Sequence, residues 1–130
     1  MDNIDLQAVI DRIQDDDAGL TITNAFSINM LDAEIAGQDS FAYSYQFNLV
    51  TLSQVKEILG AGGYYRNCIG HADTAAIVGQ ELGLPLQMNR ETVRIMPHDV
   101  ILVAQYTGPR LPEGTTELPE GASINYWIVW

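Results

Sequence analysis

The runs DVILVAQY (99–106) and SINYWIVW (123–130) are separated by TGPRLPEGTTELPEGA (107–122), in which LPEG occurs twice. Both flanking runs are rich in β-branched and aromatic residues, which suit a pleated surface, so both read as strands. A Pro/Gly-rich connection of that length is uncommon inside a compact domain. It is either a functional lid or an unpacked excursion.

Upstream, the apolar period alternates between helix and strand. DLQAVIDRIQD (5–15) places Leu6, Val9, Ile10 and Ile13 at helical spacing and predicts a short amphipathic helix stopped by Gly19. LTITNAF (20–26) predicts a strand, and SINML (27–31) a helical turn capped by Asn24 or Ser27. Gly37–Ser40 reads as a loop, and FAYSYQF (41–47) alternates Phe41, Tyr43, Tyr45 and Phe47 as a half-buried strand would. TLSQVKEILGAGG (51–63) opens on a cap signature, Thr51 with Gln54 three residues on, presents Leu52, Val55, Ile58 and Leu59 on one face, and closes on glycines. A further helix is expected from about Asp73 to Leu82, ended by Gly83 before Pro85. ETVRIM (91–96) is strand-like and predicts a pairing with DVILVAQY around the turn PHD. This mixed order predicts an α/β fold with a mixed sheet, and 130 residues suit one compact domain.

Bulk properties narrow the function. The 47% hydrophobic and 18% charged shares are ordinary for a globular chain, and no apolar run approaches the length of a membrane span. The first 20 residues lack a basic start and an apolar signal core, so the expectation is a cytoplasmic protein with no membrane association. The lone Cys68 cannot build a disulfide framework. A net charge of −11 opposes binding to long nucleic acid, which depends on many Lys and Arg contacts to phosphate. A small anion needs only a local site, and five of the six basic residues are Arg, the type suited to bidentate phosphate contacts; they are otherwise scattered surface charge.

NCIGHADTAAI (67–77) sets His71 between a glycine and the first turn of a helix. Metal binding is disfavoured: Cys68 and His71 have no second pair, and His98 is an isolated turn residue. Cys68 and His71 form a thiolate pair, or Cys68 is a small buried hydrophobe. His71 itself either packs or acts as an acid or base at the mouth of a helix. In the second case Gly70 lets backbone N–H groups approach an anion, and the helix start favours negative charge beside the imidazole.

Four segments, NAFSINML (24–31), IGHADTAAI (69–77), NRETV (89–93) and AQYTGPRLPEG (104–114), resemble the viral ring nucleases, a family of archaeal viruses, bacteriophages and bacteria. These are anti-CRISPR proteins that degrade cyclic tetra-adenylate, the second messenger of type III CRISPR defence. The resemblance runs from about Thr21 to the C-terminus, so residues 1–20 read as an N-terminal extension and 21–130 as the ring nuclease domain. It implies a mixed sheet flanked by helices, paired as a two-fold homodimer that holds the ligand at its interface. The family's catalytic histidine falls on His71, and its arginine and glutamate on Arg110 and Glu113; the second LPEG makes Glu120 the rival of Glu113. Substrate contacts fall on Ser27, with Asn24 and Asn29 beside it, and on Arg90 and Gln105, with Gly70 at the helix mouth. Arg90 is otherwise a surface residue, and Ser27 and Asn24 otherwise helix caps. Tyr64 and Tyr65 either stack on adenines or form a buried edge.

The implied reaction needs no cofactor and no metal. The substrate's own 2′-hydroxyl attacks the adjacent phosphodiester, giving linear di-adenylate with a 2′,3′-cyclic phosphate, and His71 protonates the departing 5′-oxygen. The rival reading is a binding protein that sequesters the ring without cutting it.

Overall fold

The computed structural model of the chain describes residues 4–15, 19–36 and 44–130. In chain order its elements are α1 (Leu6–Gln14), β1 (Leu20–Thr23), α2 (Ala33–Ala36), β2 (Phe47–Val50), α3 (Leu52–Gly60), β3 (Tyr65–Asn67), α4 (Ala72–Leu82), β4 (Val100–Thr107) and β5 (Ser123–Val129). A short 3-10 turn, Ile28–Met30, precedes α2.

The strands form one sheet in the order β2-β5-β4-β1-β3. β1 is parallel to both β3 and β4, while β5 is antiparallel to both β4 and β2, so β5 runs against the other four. Every residue of β1 is buried, as a central strand covered on both faces requires.

Local chemistry explains the helix boundaries. The Asp5 carboxylate accepts the Ala8 N–H at 3.1 Å at the start of α1. Thr51 and Gln54 exchange hydrogen bonds of 2.9 and 3.1 Å at the start of α3, each satisfying a backbone donor that the helix leaves free. α4 ends on Gly83, whose φ of 70° is the left-handed conformation that glycine adopts most cheaply.

The main core lies on one face of the sheet. Val9 and Ile13 of α1, Val55 and Ile58 of α3, and Ala75, Val78 and Leu82 of α4 pack with the sheet residues Leu20, Ile22, Val100, Leu102, Tyr126 and Ile128. Each such aliphatic side chain contributes about 1.5–3 kcal/mol on burial. α1 therefore belongs to the same packed body as the helices after it. The opposite face carries a smaller cluster, Ile95, Ile101, Val103 and Val129 with Phe26, Met30, Leu31 and Trp127 against it. Beyond that cover Phe47 and Leu49 remain 55% and 59% exposed.

Two expectations are corrected. ETVRIM does not pair with β4, because β1 and β5 occupy both sides of that strand; Ile95 makes a single parallel bridge to Leu31 instead. The strand expected over 41–47 begins at Phe47 and runs on to Val50. Residues 41–43, with Phe41 and Tyr43, and the loop Gly37–Ser40 lie outside the described residues. Of the aromatic alternation, Tyr45 and Phe47 meet Phe26 edge to face, with ring centroids 6.0 and 5.4 Å away. Short polar β3 and one-turn α2 were not anticipated.

Candidate active site

β1, β3 and β4 run in the same direction, so their carboxyl ends rise at one side of the sheet. That is where open α/β sheets place their ligand crevices. Asn24 follows β1, residues 68–71 follow β3, and the 108–122 loop follows β4.

The turn after β3 is held from several sides. Asn67 Oδ1 accepts the Ile69 amide at 3.1 Å, and Asn67 Nδ2 donates to the Gln87 carbonyl at 2.6 Å. Asn24 Oδ1 accepts the Gly70 amide at 3.1 Å, and Arg90 Nε donates to the Gly70 carbonyl at 3.3 Å. A Cβ added at Gly70 would meet only Arg90 Cγ, at 3.9 Å, so the space over this backbone is open.

His71 is the N-cap residue of α4, with φ −132° and ψ 124°, yet its side chain makes no capping hydrogen bond. The exposed imidazole instead lines a cleft of about 770 Å³ with Asp73, Thr74, Tyr106, Arg110, Pro112 and Glu113. His71 thus shares one cleft within a single chain with Arg110 and Glu113, which are distant from it in sequence. Glu120 is not among the residues that line it.

The neck of the loop that carries Arg110 and Glu113 is narrow. A Cβ on Gly108 would lie 2.7 Å from Ala122 Cβ, so the two ends of the loop approach as closely as they do only with glycine there. Tyr106 Oη donates to the Pro109 carbonyl at 2.5 Å. Farther out, the Thr115 amide bonds the Pro112 carbonyl at 3.2 Å around Gly114, whose φ is 84°. The Gly114 amide then donates to Asp73 Oδ1 at 3.2 Å, tying the loop to the first turn of α4.

With this geometry in view, comparison with known proteins is direct: the sequence profile of the STIV B116-like family matches residues 20–127. The chain belongs to the STIV B116-like family. Among solved structures it is similar to B116 of Sulfolobus turreted icosahedral virus, with a TM-score of 0.64 and 28% sequence identity, over 85% of this chain and 97% of that one. No curated protein matches the chain. The B116-like span contains the whole cleft and begins at β1, leaving α1 outside it.

The remaining residues singled out from the B116-like sequence do not line this cleft. Asn24 and Gln105 line a neighbouring groove of about 470 Å³ with Phe26, Phe47, Val103 and Trp127. There Gln105 Oε1 accepts the Trp127 indole N–H at 3.0 Å. Ser27 Oγ accepts the Asn29 amide at 3.2 Å as the cap of the 3-10 turn. Asn29 itself lines a separate hollow beside Asp32 and Arg94. Arg90 adjoins His71 through the Gly70 carbonyl. Tyr64 is exposed and Tyr65 half-buried, both lining a further hollow along β3.

Asp73, Thr74 and Tyr106 line the cleft without having been singled out from the sequence. Asp73 stands two residues after His71 on a helix start, which was the available signal; Tyr106 falls within the AQYTGPRLPEG segment, where no role was attached to it.

Cys68 is 4% exposed. Burial pushes its thiol up from the ordinary value, opposed by the Arg66 charge and reinforced by Glu91. It stays protonated at neutral pH, which disfavours a reactive thiolate pair with His71. Among the described residues no three His, Cys, Asp or Glu side chains gather as metal ligands, and no helix is long and apolar enough to cross a membrane.

Proposed function

We propose that this B116-like protein is a metal-independent ring nuclease that opens cyclic tetra-adenylate to linear di-adenylate with a 2′,3′-cyclic phosphate, and so antagonises type III CRISPR signalling. The observation that carries the reading is the imidazole of His71. It stands at the first turn of α4, free of capping duty, in one cleft with Arg110 and Glu113.

The chemistry follows from what a cyclic RNA brings with it. Its 2′-hydroxyl is the nucleophile; attack forms the bond to phosphorus, the bond to the 5′-oxygen breaks, and the hydroxyl proton passes to water. Holding the two in line lowers the barrier by converting a random encounter into an oriented one. Arg110 and the backbone N–H groups at the start of α4 offset the charge that builds on the phosphoryl oxygens. Glu113 supplies a carboxylate acceptor for a ribose hydroxyl. His71 protonates the departing 5′-oxygen, a contribution of about 10²–10⁴-fold for a positioned acid.

A four-fold ring suits a two-fold homodimer, which offers a copy of His71 to opposite phosphates. The exposed apolar strip of Phe47 and Leu49, continuous with the groove lined by Phe26 and Trp127, supports a self-complementary contact on that face. Asn24 and Gln105 line the same groove and would contact a ligand held there between two copies. The net charge of −11 repels long nucleic acid while a local pocket admits a small ring.

The test is a titration with cyclic tetra-adenylate in EDTA, with products resolved by chromatography. The reading expects di-adenylate ending in a 2′,3′-cyclic phosphate. A ring that is bound tightly and recovered intact would make the protein a sponge, and a ring that is not bound at all would refute the reading.

A further inference from the structure

We propose that Asp73 is a positioning residue, a latch that holds the 108–122 loop against the first turn of α4 and so sets where Arg110 and Glu113 stand relative to His71. The contact that makes it one is the Gly114 amide donating to Asp73 Oδ1 at 3.2 Å. Among the described residues the other hydrogen bonds of the loop are local: Tyr106 to the Pro109 carbonyl, Thr115 to that of Pro112, and Ala122 to that of Pro119. They shape the loop's own turns without fixing them to the body of the protein. The Asp73 bond crosses from the loop to the helix that begins at His71, and its donor is the residue next to Glu113.

The geometry of the turn serves this contact. Gly114 has φ 84°, and the Pro112–Thr115 hydrogen bond closes the chain around it. An amide bonded to a carboxylate is a charge-assisted pair, stronger than a neutral one. Asp73 also lines the cleft itself. A loop with a tight neck at Gly108 and Ala122 and a bond near its tip is clamped at both ends, with Arg110 and Glu113 between them.

The effect on turnover rests on the function proposed above; the latch does not. Native trypsin digestion reads it without substrate, because the loop contains the Arg110–Leu111 bond and cleavage of a transiently opened segment follows its open population. Scission at Arg66, in β3, reports global unfolding in the same digest. Asp73→Ala removes the acceptor, and Asp73→Asn keeps a side-chain oxygen for the Gly114 amide. We expect Asp73→Ala to raise cleavage at Arg110 by about tenfold, the loss of one such bond, with cleavage at Arg66 unchanged. Asp73→Asn, which keeps a neutral acceptor, should fall between the wild type and Asp73→Ala. In turnover of cyclic tetra-adenylate, Asp73→Ala should lower kcat more than it raises KM, and Asp73→Asn should restore kcat in part. Wild-type cleavage of Asp73→Ala at Arg110, or an Asp73→Asn loop as open as that of Asp73→Ala, overturns the latch. A loosened loop with undiminished kcat overturns the positioning role. If the wild-type protein leaves the ring intact while the digest behaves as described, the latch stands and the proposed activity alone fails.

Discussion

Asn24 Oδ1 accepts the Gly70 amide at 3.1 Å, so the residue at the carboxyl end of β1 sets the position of the peptide that precedes His71. Removing that oxygen leaves a part-buried amide without its partner, a loss of about 1–3 kcal/mol. Asn24→Ala should therefore lower the melting temperature by several degrees, whereas Asn24→Asp, which keeps an acceptor, should lower it less. Differential scanning calorimetry of the two variants checks this ordering.

The Tyr126 hydroxyl donates to Glu81 Oε1 at 2.6 Å, linking β5 to α4. Burial first, and then the hydrogen bond and charge of Glu81, push the phenol well above its ordinary value. The folded chain therefore keeps a proton that the unfolded chain releases above about pH 10. The stability from this group is full below that pH and falls as pH rises beyond it, at about 1.4 kcal/mol per pH unit while the native phenol stays protonated. Tyr126→Phe should cost about 1.5–3 kcal/mol at neutral pH, since the lost bond is to a charged acceptor. It should also flatten the alkaline slope between about pH 10 and 11.5. Urea unfolding across that range checks both effects.

Gly79, inside α4, packs against the turn that follows the helix. A Cβ there would lie 2.7 Å from the Leu84 carbonyl oxygen and 3.3 Å from the Leu86 nitrogen, both backbone atoms that cannot swing aside. Gly79→Ala is thus destabilising by about 1–3 kcal/mol through overpacking, although alanine is the better helix former. Gly60→Ala, at the end of α3 with open space around its Cβ, should be near neutral by comparison. Denaturant midpoints of the pair separate the two sites.

Cys68 should react with an aromatic disulfide reagent only slowly in the folded protein and rapidly in urea. Burial leads among the causes that raise its thiol, so the native rate should still climb with pH beyond the ordinary thiol range. Thiol release followed by absorbance between about pH 7 and 10 tests this. A fast native reaction at neutral pH would contradict it.

What could be read from the sequence was what neighbouring residues decide among themselves. The Thr51–Gln54 cap and the Gly83 stop are local devices, and both are in place. The amphipathic spacing of Val9 and Ile13 likewise identified the buried side of α1. ETVRIM misled because its local preference for strand meets a sheet in which both edges of β4 are already taken, by β1 and β5. β3 escaped notice because three residues, Tyr65–Asn67, carry no period of their own and become a strand only beside β1. The site divides along the same line. His71, Arg110 and Glu113 were named through motifs, whereas Asp73 and Tyr106 enter the cleft because the loop folds back over α4.

In the proposed reaction His71 delivers a proton to the leaving oxygen of a cyclic oligoadenylate. Single-turnover cleavage of cyclic tetra-adenylate in EDTA, comparing the wild-type protein with His71→Ala, tests it most directly. Because the His71 side chain makes no capping bond, the variant should fold and melt like the wild type. The expected result is conversion to cyclic-phosphate di-adenylate by the wild type and a rate at least about 10²-fold lower in the variant. A correctly folded His71→Ala protein that cuts the ring as fast as the wild type would contradict it.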